Sequence, residues 1–274
     1  MEKKPIWRFI ETGHKSAAYN MAVDEALTLH YSDQPTFRVY GWKPAAISFG
    51  YMQNSVREFD LERRRELGVS VVRRLTGGRA VYHDNEVTYS VVAPENDPSI
   101  GGTIHETYHA ISLGLASGLA KLGIITELEK SRLLPDREKI KSPCFTASAR
   151  YELTYRNKKL VGSAQRRISG MILQHGSILL AGHQEEMVEL IRFQPDKKKC
   201  ISRYLRQNTA SLSGILGREV SFSEVSDTLR IGFGKYFDLD FRIDNLTPVE
   251  SQTAERLIKD KYDNDAWNSK PQRG

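Results

Sequence analysis

The residues best equipped for chemistry stand in one run, Arg73-Arg74-Leu75-Thr76-Gly77-Gly78-Arg79-Ala80-Val81-Tyr82-His83-Asp84. Arginine forks suit carboxylate or phosphate. Adjacent glycines let backbone N–H groups approach a ligand that a Cβ would hold off. Apolar, β-branched stretches lie on either side, at 68–72 and 87–93, so the run is expected to connect two strands and to form the wall of a small-molecule pocket. The plainer reading is a hairpin with a basic turn. It accounts for a lone Gly-Gly, but not for two arginines before it and His-Asp after it.

Two further positions have reactive side chains. Cys144, in Ser142-Pro143-Cys144-Phe145, follows a polar, Pro-containing link that reads as a loop, where function concentrates. A free cysteine is most often a small buried apolar residue. As a nucleophile it needs a neighbouring cation or base, because an unperturbed thiol is only about one-tenth ionised near pH 7.5. Lys159 opens the strand-like Lys-Leu-Val-Gly-Ser-Ala-Gln165. A lysine there usually snorkels to the surface; pointing inward, it would be equipped for proton transfer. Gln174-His175-Gly176-Ser177 adds polar groups on the next strand. Cys200 follows three lysines but has no pocket pattern around it.

His105-Glu106-Thr-Tyr-His109 matches the His-Glu-x-x-His zinc helix. Thr103-x-x-Glu106 is also a capping box, however, which gives Glu106 a structural task at a helix start, and no third ligand follows. No metal site is expected.

The elements that must position these groups are mixed rather than regularly alternating. Residues 16–29 are expected to form an amphipathic helix, with apolar residues at Met21, Ala22, Ala26, Leu27 and Leu29. Thr36–Tyr40 and Ala46–Phe49 are strands, and 57–66 is a charged surface helix. The longest helix runs over 103–122, followed by a polar link over 127–142. Strands then recur at 151–155, 159–165 and 171–180, with turns at 156–158 and 169–170. Beyond about residue 183 the pattern is helical, with starts at Ser221-x-x-Glu224 and Thr247-Pro248-x-Glu250. The expected class is α+β, with mixed or antiparallel sheets packed against helices. A core over 1–183 and a mostly helical part over 184–274, packed on the same domain, are expected.

Hydrophobic residues make up 39% of the 274 and charged residues 27%, which argues against disorder. Two cysteines exclude a disulfide framework or a Cys-rich zinc site. Met1 to Trp7 holds no long apolar run and no stretch reaches membrane-spanning length, so a cytoplasmic protein with no membrane partner is expected. Forty Lys and Arg against 34 Asp and Glu leave a net charge of +6, which favours acidic partners. No nucleic-acid-binding signature accompanies that charge.

Arg73-Arg74-x-x-Gly77-Gly78-Arg79-Ala-Val-x-His83-Asp84, Lys159-x-x-Gly162-Ser163-Ala164 and His175-Gly176-x-x-Leu179 together resemble the biotin/lipoate ligase and octanoyltransferase family. Asn20-Met-Ala-x-Asp-Glu-Ala, Arg38-x-Tyr-x-Trp42-x-Pro and Lys261-Tyr-x-x-x-x-Trp267-Asn extend the likeness over nearly the whole chain. The resemblance implies a mixed sheet packed on helices, with an octanoyl or lipoyl chain in a tunnel beside the Arg-Gly-Gly loop. Arg79 stands where lipoate ligases usually carry a third glycine, and Cys144 stands where cysteine-dependent octanoyltransferases carry their nucleophile. The resemblance therefore implies octanoyl transfer from acyl carrier protein to a lysine of a lipoyl-domain-type protein, such as glycine cleavage H protein. It makes Cys144 the acyl acceptor and Lys159 the general acid/base. Arg74, Gly77, Gly78, His83, Gly162, Ser163 and His175 would shape the substrate site. No cofactor and a monomeric enzyme are expected. The alternatives are an ATP- and Mg-dependent lipoate–protein ligase and a non-catalytic acyl- or biotin-binding protein.

Overall fold

The computed structural model describes residues 3–31, 33–130, 151–182 and 184–269. An eight-stranded mixed sheet carries the fold. It comprises β1 (Ile6–Lys15), β2 (Thr36–Trp42), β6 (Glu86–Pro94), β7 (Glu127–Lys130), β8 (Tyr151–Tyr155), β9 (Lys158–Ile168), β10 (Met171–Leu179) and β11 (Asp240–Asp244). Their order is β11-β1-β2-β6-β10-β9-β8-β7. β1 is parallel to both its neighbours, and every other pairing is antiparallel. A second sheet of three strands, in the order β4-β3-β5, contains β3 (Ala46–Phe49), β4 (Ser70–Arg73) and β5 (Val81–His83).

Nine α-helices accompany the sheets among the described residues: α1 (Ala17–Leu29), α2 (Ser55–Glu58), α3 (Leu61–Glu66), α4 (Ile104–Ala120), α5 (Pro195–Asn208), α6 (Leu212–Leu216), α7 (Phe222–Phe237), α8 (Pro248–Leu257) and α9 (Asp265–Ser269). Local chemistry explains where they begin. The Ser16 hydroxyl accepts the Tyr19 amide at α1, and complete capping boxes at Thr103/Glu106 and Thr247/Glu250 start α4 and α8. At α7 only half the box forms: Ser221 accepts the Glu224 amide, while the Glu224 carboxylate turns to Arg218 instead.

Both faces of the large sheet are covered. On one, Ile111, Leu115 and Leu119 of α4 and Leu229 and Phe233 of α7 meet Phe37, Val39, Tyr89 and Val91. On the other, Met21, Ala22 and Ala26 of α1 and Ala254 of α8 meet Ile10, Tyr40, Val92 and Leu173. Every residue of β2 is therefore buried, including Arg38 between Phe37 and Val39. No helix of the described residues is long and apolar enough to cross a membrane.

The fold departs from the sequence reading in four places. The Arg-Gly-Gly run does not join two neighbouring strands. Its flanks, β4 and β6, lie in different sheets, and Val81–His83 is itself a strand paired to β3. The run thus bridges two layers, which two apolar flanks alone cannot reveal. The charged helix over 57–66 is two helices, because Asp60 caps a new one and Phe59 bridges to Ile191. Glu127–Lys130 is an edge strand, not link. Within the helical stretch after 183, Asp240–Asp244 adds a strand beside β1. Arg8 secures it: its buried guanidinium bonds both Glu250 oxygens at 2.6 and 2.9 Å and Asp244 at 3.0 Å.

Helices α4 and α7 approach to the limit set by their backbones. A Cβ placed on Gly232 would lie 2.2 Å from the Gly118 nitrogen and 2.3 Å from its Cα. Alanine normally stabilises a helix interior relative to glycine. Here Gly232→Ala is expected to destabilise by about 1–3 kcal/mol or more through overpacking. Thermal denaturation checks this, and an unchanged or raised Tm would refute the close contact.

Candidate active site

A cavity of about 420 Å³ opens where the two sheets meet, within the roughly 300–1,000 Å³ usual for small-molecule sites. Arg74, Gly77, Gly78, His83, Lys159, Gly162, Ser163 and His175 all line it, so the structure brings eight of the residues singled out from sequence into one place. Cys144 lies outside the described residues. Met21, Tyr40, Trp42, Ala80, Val81, Ile104, Tyr108 and Ala164 supply a largely apolar wall. That composition suits an aliphatic chain better than a polar ligand.

Two buried hydrogen-bond chains run behind this wall and converge on Arg74. In the first, the Asp24 carboxylate accepts four bonds: from Arg38 at 2.7 Å, Ser90 at 2.8 Å, the Tyr40 hydroxyl at 2.9 Å and His175 Nδ1 at 3.0 Å. His175 Nε2 lies 2.6 Å from the Thr76 hydroxyl, which accepts from Arg74 Nε at 3.2 Å. In the second, the buried Glu86 carboxylate accepts from Thr88 and Ser177 and lies 2.8 Å from His83 Nδ1. His83 Nε2 is 2.7 Å from Ser48 Oγ, which accepts from Arg74 at 3.1 Å. Trp42 stacks on His83 with ring centroids 3.9 Å apart and donates to Thr88 at 2.7 Å.

Arg74 then passes these constraints to the glycine loop. Its remaining N–H groups donate to the carbonyls of Ser48 (2.9 Å), Gly77 (2.7 Å) and Arg79 (2.7 Å). Gly78 sits at φ +90°, a conformation L side chains rarely adopt. Arg73 braces the loop from behind. It donates to the carbonyls of Gly50, Tyr51 and Gln53, and to those of Trp267 and Asn268 far along the chain. The Arg73 and Arg74 forks, suited to a carboxylate or phosphate, are therefore engaged on the protein's own oxygens. An arginine whose donors are matched by nearby carbonyls turns inward, and sequence does not report that supply.

Ser48, His83 and Glu86 stand in the order of a hydrolase triad. Yet Ser48 lies within a three-stranded sheet, is buried, and accepts an arginine N–H. That arrangement positions Arg74.

On the opposite wall Lys159 Nζ donates to Glu152 Oε1 at 2.7 Å. The Lys159 carbonyl accepts the Ala210 amide at 2.9 Å, just after α5. Ser163 Oγ is 2.7 Å from the Tyr89 hydroxyl, which accepts from Gln174 at 3.0 Å. Burial pushes the Tyr89 hydroxyl up to about 12, with Ser163 and Gln174 opposing it. It therefore stays protonated as a donor.

Sequence reasoning named Asp24, Arg38, Tyr40 and Thr76 only as members of motifs, gave them no role, and passed over Ser48, Glu86 and Tyr89. A signal for Asp24 and Arg38 was present: an aspartate on the apolar side of a helix and an arginine inside an apolar strand, each too costly to bury alone. His105 and His109 lie in the first turns of α4, where Glu106 is held by the capping box. Among the described residues no group of three or more His, Cys, Asp or Glu side chains could hold a metal ion.

Residues 16–234 match the model of the lipoyl protein ligase A/B catalytic domain. A protein named octanoyltransferase LipM from Kyrpidia tusciae is 42% identical over 96% of this chain and 98% of its own length. Its namesake from Bacillus subtilis is 35% identical over 98% and 99%. Among solved structures, a bipartite lipoate protein ligase of Thermoplasma acidophilum superposes with a TM-score of 0.82 at 24% identity, over 98% of both chains. A lipoate-protein ligase A bound with ATP gives 0.77 at 24%, over 99% of this chain and 100% of the other. At these identities the structural likeness speaks for the fold.

The buried network sets a pH dependence. Burial opposes the charge on Asp24, but Arg38, His175 and Ser90 outweigh it and hold the carboxyl below its ordinary 3.8. Burial pushes His175 below its ordinary 6.5, with Asp24 opposing and Arg74 and His83 assisting. A histidine kept neutral in the fold contributes stability that is complete above its unfolded pKa. That contribution is lost as pH falls below this value towards the folded one; the Asp24 contribution is lost only as pH falls further, through its folded value. Tm is therefore expected to drop between about pH 7.5 and 5, and less steeply in His175→Gln. Equal slopes would refute the assignment. Asp24→Asn, which leaves Arg38 without its counter-charge, is expected to cost about 3–5 kcal/mol in denaturant unfolding.

Proposed function

This chain belongs to the lipoyl protein ligase A/B catalytic-domain family, and from that premise we propose that it transfers an octanoyl group from acyl carrier protein to a lysine of a lipoyl-domain-type protein, in protein lipoylation, through a thioester on Cys144. The observation that carries this reading is the likeness, over 96% of the chain, to a protein named an octanoyltransferase. The apolar cavity with Lys159 in its wall supports it.

The chemistry divides into two steps. The Cys144 thiolate attacks the octanoyl carbonyl carbon, a new C–S bond forms, and the bond to the carrier sulfur breaks. That sulfur leaves with a proton supplied from Lys159. The acceptor amine then attacks the same carbon, a C–N bond forms, the Cys144 sulfur departs, and the proton lost by nitrogen returns to Lys159. The donor thioester is already activated, so the transfer takes no ATP. Backbone N–H groups of the Gly77-Gly78 turn or of the Lys159 strand are the donors for the carbonyl oxygen as it gains charge, a contribution of about 3–4 kcal/mol in acyl transfer. The inward turn of Arg73 and Arg74 also supports thioester chemistry over a ligase reaction through a phosphate-bearing adenylate.

Mass spectrometry of the protein mixed with octanoyl-loaded carrier is the test. A gain of about 126 Da on Cys144, the octanoyl group replacing the thiol proton, is expected and is absent in Cys144→Ala. Lys159→Ala is expected to slow transfer by roughly 10²–10⁴-fold. Transfer by Cys144→Ala at the wild-type rate, or modification of the acceptor only with free lipoate and ATP, would overturn the proposal.

A further inference from the structure

Helix α5 presents a basic face that the reaction centre does not use. Ile201 and Leu205 pack inward with Val188, so the residues between them face outward. Lys199, Cys200, Arg203 and Tyr204 are exposed there, Tyr204 at 39%. Some neighbouring cations are engaged: Arg206 is held bidentately by Glu185 at 2.7 and 2.9 Å, Lys197 lies over the Phe193 ring, and Lys198 donates to the Glu189 carbonyl. Lys199 and Arg203, one turn apart, have no carboxylate partner among the described residues.

This face ends at the cavity. Thr209, immediately after α5, bridges to Lys159, and Ala210 donates to the Lys159 carbonyl. Burial, then the Glu152 charge, raises the Tyr204 hydroxyl, so α5 lies within electrostatic range of the carboxylate that holds Lys159. The β8–β9 turn continues the patch with exposed Arg156 and Lys158. Unpaired cations beside an apolar cavity fit a partner that is acidic and must deliver a chain into it.

We propose that the exposed face of α5, continued by the 156–158 turn, is the docking surface for the acidic carrier protein that brings the acyl chain as a thioester. This rests on the transfer reading above. The donor is favoured over the acceptor on charge. The acceptor must offer a cationic lysine, which Lys199, Arg203, Arg156 and Lys158 repel, whereas a thioester arm carries no cation to repel. Charges at a rim act mainly on encounter rate and are screened by salt.

The test compares octanoyl-loaded acyl carrier protein with octanoyl-pantetheine, a small thioester with no protein surface, as donors to the full-length enzyme. Lys199→Glu/Arg203→Glu is expected to lower kcat/KM for the carrier by about tenfold or more through KM, and to flatten its salt dependence. With octanoyl-pantetheine the same variant is expected to stay within about twofold of wild type, because rim charges act on steering of a protein partner. Lys199→Gln/Arg203→Gln, which removes charge without reversing it, is expected to move the same way by less and replaces the first variant if that one fails to fold. The proposal is overturned if the carrier is used as well as by wild type, if both donors suffer equally, or if the defect appears in KM for the acceptor. Failure of the wild type to use octanoyl carrier at all would instead overturn the transfer reading itself.

Discussion

One buried carboxylate holds the site together. Asp24 comes from α1, and its four donors come from β2, β6 and β10. A carboxylate removed from water is unfavourable unless its charge and lone pairs are matched. Here Arg38 supplies the charge and three neutral groups complete the shell. The geometry that satisfies Asp24 also fixes the tilt of α1 on the sheet and the orientation of His175. A hydrophobic replacement would pack at least as stably, but it would leave His175, Thr76 and Arg74 without a defined arrangement.

The second carboxylate, Glu86, repeats the logic from the start of β6. Each chain passes through an imidazole and a hydroxyl to the same guanidinium. Arg74 is therefore located from two directions, and the glycine loop follows it. A loop rich in glycine is conformationally permissive by itself. Its order comes from an arginine held on carbonyls at both of its ends, so the cavity wall is preorganised before any ligand arrives.

Much of the framework was legible in the residues. The Thr103 and Thr247 caps, the turn over 156–158 and the apolar side of α1 follow from local rules that operate within a few residues. Lys159, His175 and the Gly77-Gly78 loop were picked out because their types are unusual for their elements, and the structure collects them at one cavity. What stayed hidden depends on distant partners. Val81–His83 is too short to declare itself a strand without β3 beside it. Asp240–Asp244, charged at alternate positions, becomes a strand only because β1 has an open edge. The inward turn of Arg73 and Arg74 depends on carbonyls that sequence does not place. Cys144 was nominated from its local setting and its family pattern, and it lies outside the described residues.

The bracing of Arg73 has a consequence for how this chain acquires its shape as it is made. Two of its five side-chain bonds end on carbonyls of Trp267 and Asn268, 194 and 195 residues downstream. The Asn268 side chain also receives the Arg73 amide. Until the residues of α9 have been made, this guanidinium lacks those two acceptors. The glycine loop therefore has its full bracing only once α9 has been made and its carbonyls have reached Arg73.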